Sequence, residues 1–236
     1  MSIKAVLFDL DGTLLPMDQD TFIMTYVSLL AKKVAPFGYD PQRISKALLM
    51  GCNDMILNDG RYVNEEIFWN SFSKLLGPSI KEHIAVFDDF YEKEFDTVSA
   101  VCGFSSEAKG TIDLIKAKGI KVILATNPLF PAIATRKRVA WAGLSADDFE
   151  LITTYENSHF CKPNIKYYEE ILQKLELDAK DCIMVGNDVD DDMVAKELGM
   201  KVFLLTDCLI NKSQKDISMY DNGSFAELCK FIENSV

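Results

Sequence analysis

The chain has 236 residues and a formal net charge of −11, from 25 lysine plus arginine residues and 36 aspartate plus glutamate residues. Such an acidic surface repels nucleic acids and anionic membranes, so we expect neither as a partner, whereas a small anionic substrate can still bind beside a cation. Hydrophobic residues at 48% and charged residues at 26% exclude wholesale disorder and predict one large domain or two unequal ones.

Apolar runs and cysteine usage exclude two further classes of protein. No apolar run approaches the ~18 residues of a membrane span, and the N-terminal apolar stretch is too short for a signal peptide. No two of the six cysteines form a C-x-x-C pair, and the two histidines, His83 and His159, have no obvious partners, so a zinc site is not expected. Cys182 is expected in the core, and a reducing cytoplasm is the expected compartment.

Four short apolar runs predict strands that are buried on both faces, as in a parallel sheet. They occupy residues 5–8, 122–125, 182–185 and 202–205, and a weaker run occupies 149–154. Apolar residues at helical spacing predict helices over 105–118, 164–175 and 190–198, with another beginning at Phe130. This alternation of helix and strand predicts a doubly wound parallel α/β sheet.

The stretch from residue 16 to residue 97 carries no strand pattern. Helical patterns occupy 20–34, 41–50, 64–76 and 80–96, and turn segments at 36–41 and 51–61 separate them. We therefore expect a helical cap domain over 16–97, inserted after the first strand of a core domain that comprises 1–15 and 98–236.

Polar side chains follow the predicted strands at the point where each strand ends. Ligands of such sheets bind beyond the carboxyl ends of the strands, so these side chains are candidates for one site. They are Asp9 and Asp11 after the first strand, Thr126 and Asn127 after the second, Lys162 near the third, and Asn187, Asp188 and Asp192 after the fourth.

Carboxylates gathered in this way repel one another unless a cation lies between them. Asp9, Asp11, Asp188 and Asp192 are oxygen ligands of the kind that Mg²⁺ takes together with water and substrate phosphate. We therefore predict Mg²⁺ as the cofactor.

The remaining side chains suit an anion. Thr126, Asn127 and Lys162 supply hydrogen-bond donors and a positive charge for phosphoryl oxygens. Asp9 could attack phosphorus in line, and Asp11 could give a proton to the leaving oxygen and later take one from water.

These motifs, in this order, resemble those of the haloacid dehalogenase-like (HAD) superfamily. The resemblance rests on Asp9-x-Asp11-Gly12-Thr13, Thr126, Lys162 and the Asp188/Asp192 cluster, and the helical insert resembles a C1 cap. It implies a Rossmann-like core, an aspartate nucleophile at Asp9, Mg²⁺ and usually phosphatase activity. It also implies that Asp11 binds the metal through its backbone carbonyl.

The fourth motif departs from the family pattern. Members commonly have Gly-Asp there, with a second acid four or five residues later, whereas this chain has Gly186-Asn187-Asp188. Asp188 is expected as the direct metal ligand because Asp192 follows it at a spacing of four. Asn187 could instead bind through its amide oxygen, and Asp191 is a lesser candidate.

The expected function is Mg²⁺-dependent hydrolysis of a small phosphorylated metabolite through an aspartyl-phosphate. Two alternatives remain open: a phosphomutase with the same chemistry, and a catalytically weak protein that binds a phosphorylated metabolite. The expected assembly is a monomer or a weak dimer.

Outside these motifs, the sequence predicts substrate selection by the segment 51–61, in which Arg61 pairs either with a substrate anion or with Asp59 or Glu65. Arg136 and Arg138, in the helix that follows Thr126, are expected at the surface.

Overall fold

The computed structural model describes residues 3–235, which are built around a six-stranded sheet whose strands all run parallel. The strands are β1 (Ala5–Phe8), β2 (Lys121–Leu124), β3 (Leu151–Ile152), β4 (Cys182–Gly186), β5 (Lys201–Leu205) and β6 (Asp221–Gly223). They lie in the order β3-β2-β1-β4-β5-β6, which confirms the predicted parallel α/β sheet.

The central strand β1 shows why its apolar run is continuous. Val6 and Phe8 pack into a large apolar cluster on one face of the sheet, and Ala5 and Leu7 pack into a second cluster on the other. Successive strand residues point to opposite faces, so a strand covered on both faces must be apolar throughout.

The order of the strands reverses beside β1. From β1 the chain builds β2 and β3 on one side, and it then returns to build β4, β5 and β6 on the other. Phe8 at the end of β1 pairs in register with Leu124 of β2 and with Val185 of β4. The loops that follow these three strands therefore begin at one level, around the crevice where ligands bind in such sheets.

Eight α-helices accompany the sheet in the part of the chain that is described. They are α1 (Gln19–Val34), α2 (Pro41–Ile56), α3 (Asn64–Leu76), α4 (Ile84–Glu92), α5 (Ser106–Ala117), α6 (Ala132–Trp141), α7 (Ile165–Leu175) and α8 (Phe225–Ser235). Helices α1–α4 and a 3-10 helix at Glu94–Val101 form the helical segment, which joins β1 to α5. The domain boundaries at 16 and 97 stay a prediction.

Aromatic side chains form the core of the helical segment. Phe95 is fully buried, and the ring centroids of six other aromatic side chains lie 5.0–6.4 Å from its own. Two of the six, Phe130 and Trp141, belong to the loop and helix that follow β2, so the same cluster fastens the segment to the rest of the molecule.

Several predicted elements differ in detail. Helix α2 continues to Ile56, so half of the expected turn segment 51–61 is helical. The single helix expected over 80–96 is divided into 3-10 turns at Pro78–His83 and Glu94–Val101 with α4 between them, and the helix expected over 190–198 is a 3-10 helix at Met193–Leu198. Strand β6 was not predicted, because it lies at the exposed edge of the sheet and its sequence, Asp-Asn-Gly, is polar.

Among residues 3–235, no helix is both long and apolar enough to cross a membrane.

Candidate active site

The loop after β1 brings Asp9 and Asp11 to the crevice. Gly12 has a φ of +85°, which suits glycine, and a Cβ there would lie 2.3 Å from the side-chain nitrogen of Asn187. The Oγ1 of Thr13 lies 3.0 Å from Oδ1 of Asn187 and 3.3 Å from Oδ2 of Asp9. The loops that follow β1 and β4 are therefore in close contact.

Lys162, in the segment between β3 and α7, bonds to both of these loops. Its Nζ donates hydrogen bonds to Oδ1 of Asp9 at 2.8 Å and to Oδ1 of Asp192 at 2.6 Å, although the residue is only 2% exposed. Burial opposes its charge, but the carboxylates of Asp192 and Asp9 hold the pKa of Lys162 well above its usual range. The ammonium is therefore retained as a fixed cation beside Asp9.

The loop after β4 folds back, so that the side chain of Asp192 contacts the first residues of the same loop. The backbone N–H of Asp188 donates to Oδ2 of Asp192 at 3.0 Å. Gly186 leaves the space for this contact, because a Cβ there would lie 2.1 Å from the same oxygen. Burial raises the pKa of Asp192 to about 7, against the opposing effect of Lys162.

Asp188 and Asp190 lie on different sides of this loop. Asp188 lines the cleft, and its Oδ1 accepts the backbone N–H groups of Asp190 at 2.8 Å and Asp191 at 3.0 Å. The carboxylate of Asp190 instead bonds with Ser213 and Lys215, outside the cleft. Asp188 therefore faces the cleft and Asp190 does not, and the choice of Asp188 as a metal ligand stays a prediction.

Asn187 is more deeply buried than Asp188. The residue is 1% exposed, and its Nδ2 donates to the carbonyl of Cys208 at 2.7 Å, which turns Oδ1 toward Thr13. Both Asn187 and Asp188 line the cleft, so both alternatives for the metal ligand remain open.

Thr126 and Asn127 follow β2 on the other side of Asp9. The carbonyl of Thr126 accepts hydrogen bonds from Thr153 at 2.7 Å and from the Tyr167 hydroxyl at 2.9 Å, which fix the end of the strand. Asn127 donates to Oδ2 of Asp191 at 3.4 Å, and its own Oδ1 is buried without a hydrogen-bond partner in the part of the chain described. Helix α6 begins at Ala132 with Pro131 as its N-cap residue, so Asn127 does not cap it.

Arg138 was wrongly expected at the surface. It is fully buried, its Nη1 donates to Oδ2 of Asp11, and its guanidinium lies 4.4 Å from the centroid of the Phe130 ring. The signal was present in the sequence: Ala134, Arg138 and Ala142, which directly follows α6, are spaced by four and are all buried on one face.

Asp11 is the partner of this arginine. Burial raises the pKa of Asp11 to about 6, and the charge of Arg138 opposes that shift. The second oxygen, Oδ1, is buried and accepts no hydrogen bond from the described residues. One oxygen of Asp11 is therefore fixed by Arg138, and the other is left without a hydrogen-bond donor among the described residues.

The cleft holds more negative charge than its own cations balance. Five carboxylates line it, whereas Lys162 is the one cation among the lining residues described; the carboxylates are those of Asp9, Asp11, Asp188, Asp191 and Asp192. Burial also raises the pKa of Asp191 to about 6.

This donor set fits Mg²⁺. No group of three acidic, histidine or cysteine side chains among residues 3–235 is arranged to chelate a metal alone. Mg²⁺ commonly uses one or two carboxylates together with water and substrate phosphate, so the carboxylates present are sufficient.

The expected selector segment 51–61 lies outside the cleft. Arg61 is exposed and pairs with Asp59 at 2.8 Å, which is one of the alternatives stated above. Within this segment, Cys52 contributes to a neighbouring apolar cavity. Both histidines have partners that the sequence did not reveal. Nδ1 of His83 lies 2.8 Å from the Tyr39 hydroxyl, and Nδ1 of His159 lies 2.8 Å from Glu170.

Known proteins resemble the chain over nearly its whole length. A curated ribulose-1,5-bisphosphate 5-phosphatase of Halopiger xanaduensis is 24% identical over 206 residues, which cover 85% of this chain and 83% of that one. A HAD phosphatase from Thermococcus onnurineus superposes with a TM-score of 0.59 at 21% identity, covering 98% of both chains. A 2-haloacid dehalogenase from Pseudomonas syringae superposes with a TM-score of 0.65 at 19% identity, covering 99% of this chain and 100% of that one.

The structural likenesses, all at low identity, support the fold. The sequence model of the haloacid dehalogenase-like hydrolases matches residues 3–199, most of the chain, including every residue of the cleft described above. The protein belongs to the haloacid dehalogenase-like hydrolase family.

Proposed function

We propose that the protein is a Mg²⁺-dependent phosphatase that hydrolyses a small phosphorylated metabolite through an aspartyl-phosphate. The observation that carries the proposal is the Asp9 carboxylate, which is held by the buried ammonium of Lys162 at the strand-order reversal. Family membership and the phosphatase names of the relatives support the same reaction.

The first half-reaction begins at Asp9. A carboxylate oxygen of Asp9 attacks phosphorus, the bond between phosphorus and the ester oxygen breaks, and Asp11 gives its proton to the leaving oxygen. Thr126, Asn127 and Lys162 lie beside Asp9 and are the groups that bind the phosphoryl oxygens. Their donors stabilise the charge that develops on those oxygens.

The second half-reaction returns the enzyme to its starting state. Asp11, now a carboxylate, takes a proton from water as that water attacks phosphorus, and the bond to Asp9 breaks to release inorganic phosphate. Arg138 positions Asp11 for both steps, because it holds one carboxylate oxygen and leaves the other unpartnered among residues 3–235.

Asp9, the backbone carbonyl of Asp11, and either Asn187 or Asp188 would hold Mg²⁺, with Asp192 anchored behind them by Lys162. When bound, the cation supplies positive charge that lowers the repulsion between the phosphoryl group and the carboxylates.

The helical segment provides one wall of the cleft. Gln19, Phe22 and Ile23 of α1 line it opposite the strand ends, which supports a lid that excludes bulk water during transfer. A reducing cytoplasm stays the proposed compartment, where the six cysteines would remain free thiols.

Incubation of the purified chain with phosphate esters and Mg²⁺ tests the proposal. We expect release of inorganic phosphate, and trapping of a phosphorylated peptide that contains Asp9. An isomerised phosphate ester without release of phosphate would identify a phosphomutase. Binding without turnover of any ester would identify the catalytically weak alternative.

A further inference from the structure

A second cavity, which we call the apolar cavity, lies within the helical segment. It has a volume of about 170 Å³ and lies between α1, α2, α3, α4 and the loops that follow β2 and β3. Aromatic and aliphatic side chains form most of its wall, including those of Tyr26, Leu48, Phe68, Trp69, Phe87 and Tyr155. A ligand in this cavity would therefore contact an apolar surface, in contrast to the carboxylates of the cleft.

The apolar cavity adjoins the cleft. Ile23, Leu129 and Phe130 line both, so no further layer of side chains separates the two spaces there. Leu129 and Phe130 also follow Thr126 and Asn127 almost directly in the chain. A group attached to a phosphoryl that is bound at Thr126 and Asn127 is therefore placed beside the apolar wall.

The wall offers few partners for a polar group. No lysine, arginine or histidine lines the apolar cavity among the described residues, and Asp88 is exposed. The hydroxyls of Tyr26 and Tyr91 lie 2.7 Å apart and bond to each other. A sugar with several hydroxyls, or a second phosphate, would lose its water there without replacement hydrogen bonds.

The cleft itself has little capacity for a second phosphate. Lys162 is the cation on its described lining, and it already lies between Asp9 and Asp192. Arg138 is paired with Asp11 beneath Phe130. A bisphosphate needs another cationic site, and the lining described here provides none.

We propose that the substrate is a phosphomonoester with one phosphoryl group and a compact apolar body that occupies the apolar cavity. The inference rests on the proposed phosphatase function, and it distinguishes this chain from the relative named for a sugar bisphosphate. The volume fits a ring, because an engineered apolar cavity of about 150 Å³ in another protein binds benzene.

A series of alkyl esters tests this substrate class, since their leaving alcohols have similar acidity. From methyl to propyl to benzyl phosphate, we expect kcat/KM to rise about fourfold per added carbon until the cavity is filled. Glycerol phosphate, ribose 5-phosphate and ribulose bisphosphate should be poorer substrates than benzyl phosphate. A preference for the bisphosphate, or rates independent of the apolar group, would overturn the inference and leave the phosphatase function intact.

Two variants locate the effect. Cys52→Phe adds a ring inside the apolar cavity and should lower the ratio of benzyl to methyl phosphate kcat/KM about tenfold. Met24→Phe adds a ring at a position that is 67% exposed and should leave that ratio unchanged. Equal ratios in both variants would contradict the assigned cavity.

A binding measurement covers the case in which Cys52→Phe does not fold. Benzylphosphonate has no ester bond to hydrolyse, and Trp69 lines the apolar cavity. Titration of benzylphosphonate into the unmodified protein with Mg²⁺ should change the tryptophan fluorescence, whereas titration of methylphosphonate should not. If both phosphonates bind with no difference in affinity or fluorescence, the apolar body does not enter this cavity. If no ester is hydrolysed and neither phosphonate binds, the proposed function itself has failed.

Discussion

At the carboxyl edge of the sheet the buried side chains are charged and hold one another through hydrogen bonds, whereas in the helical segment they are aromatic and hold one another by packing. At the sheet edge, Lys162 bonds to Asp9 and Asp192. In the helical segment, Phe95 lies among six other rings, four from the segment itself and two from the loop and helix that follow β2. Each region is buried, but burial serves a different purpose in each.

Substitutions at the sheet edge and in the helical segment should therefore have different consequences. Burial raises the pKa of Asp11 and of Asp192, and the charge of Asp9 adds a smaller upward contribution to both. These carboxylates contribute little net stability, because desolvation offsets much of their attraction to the cations. The aromatic rings bury apolar area and contribute stability directly. We therefore expect activity to depend on the sheet edge and stability to depend on the helical segment.

The largest effect is expected at Asp9. Asp9→Asn removes the attacking oxygen and should lower kcat by about 10⁴-fold or more, with no phosphoenzyme detected by mass spectrometry. The melting temperature should be unchanged or higher, because one of five crowded carboxylates is removed. A variant that keeps substantial activity would show that another residue is the nucleophile.

Metal removal comes next. Exhaustive treatment with EDTA should abolish turnover, Mg²⁺ should restore it, and Ca²⁺ should inhibit because it accepts looser geometry. Asp188→Ala should cost far more activity than Asp190→Ala, since Asp190 bonds to Ser213 and Lys215 outside the cleft. Full activity without metal would contradict the magnesium assignment, and equal losses would contradict the choice of Asp188.

Asp11→Asn should have an effect that depends on the leaving group. It keeps the size and the backbone carbonyl but removes the proton, so an alkyl phosphate should lose about 10²–10⁴-fold in the first step. An aryl phosphate needs less protonation and should show a burst of phenol followed by slow turnover. The measurement is stopped-flow absorbance, and equal losses for both esters without a burst would assign Asp11 to positioning alone.

In the helical segment, Phe95→Ala should lower the free energy of unfolding by about 3–5 kcal/mol. Leu57→Ala is the matched control in the same segment, and because Leu57 is 71% exposed its change should stay within about 0.5 kcal/mol. Denaturant unfolding measures both. Under conditions where Phe95→Ala remains folded, its kcat should be much closer to that of the unmodified protein than that of Asp9→Asn.

The smallest effect is expected at Arg61. Its pair with Asp59 is exposed and screened by water, so it should contribute almost nothing to stability, and Arg61 lies outside both cavities. Arg61→Ala should therefore leave the ranking of phosphate esters unchanged in steady-state assays. A changed ranking would restore the original expectation that the segment 51–61 selects the substrate.

The sequence by itself determined the parallel sheet and the polar side chains that the strand ends contribute to the cleft. Strands buried on both faces must be continuously apolar, so β1, β2, β4 and β5 could be read directly. The first polar residue after such a strand lies at the ligand-binding edge, which identified Asp9, Thr126 and Asn187 by position alone. These inferences needed only local patterns and one rule of topology.

Only the tertiary structure decided how those side chains are paired and what adjoins them. A charged residue on the buried face of an isolated helix has no visible partner in sequence, so the pairing of Arg138 with Asp11 could not be predicted across 127 positions. The apolar cavity likewise exists because four helices and two loops leave a space between their side chains. Local patterns specify which faces are buried, but the distances between those faces depend on how all the elements pack together.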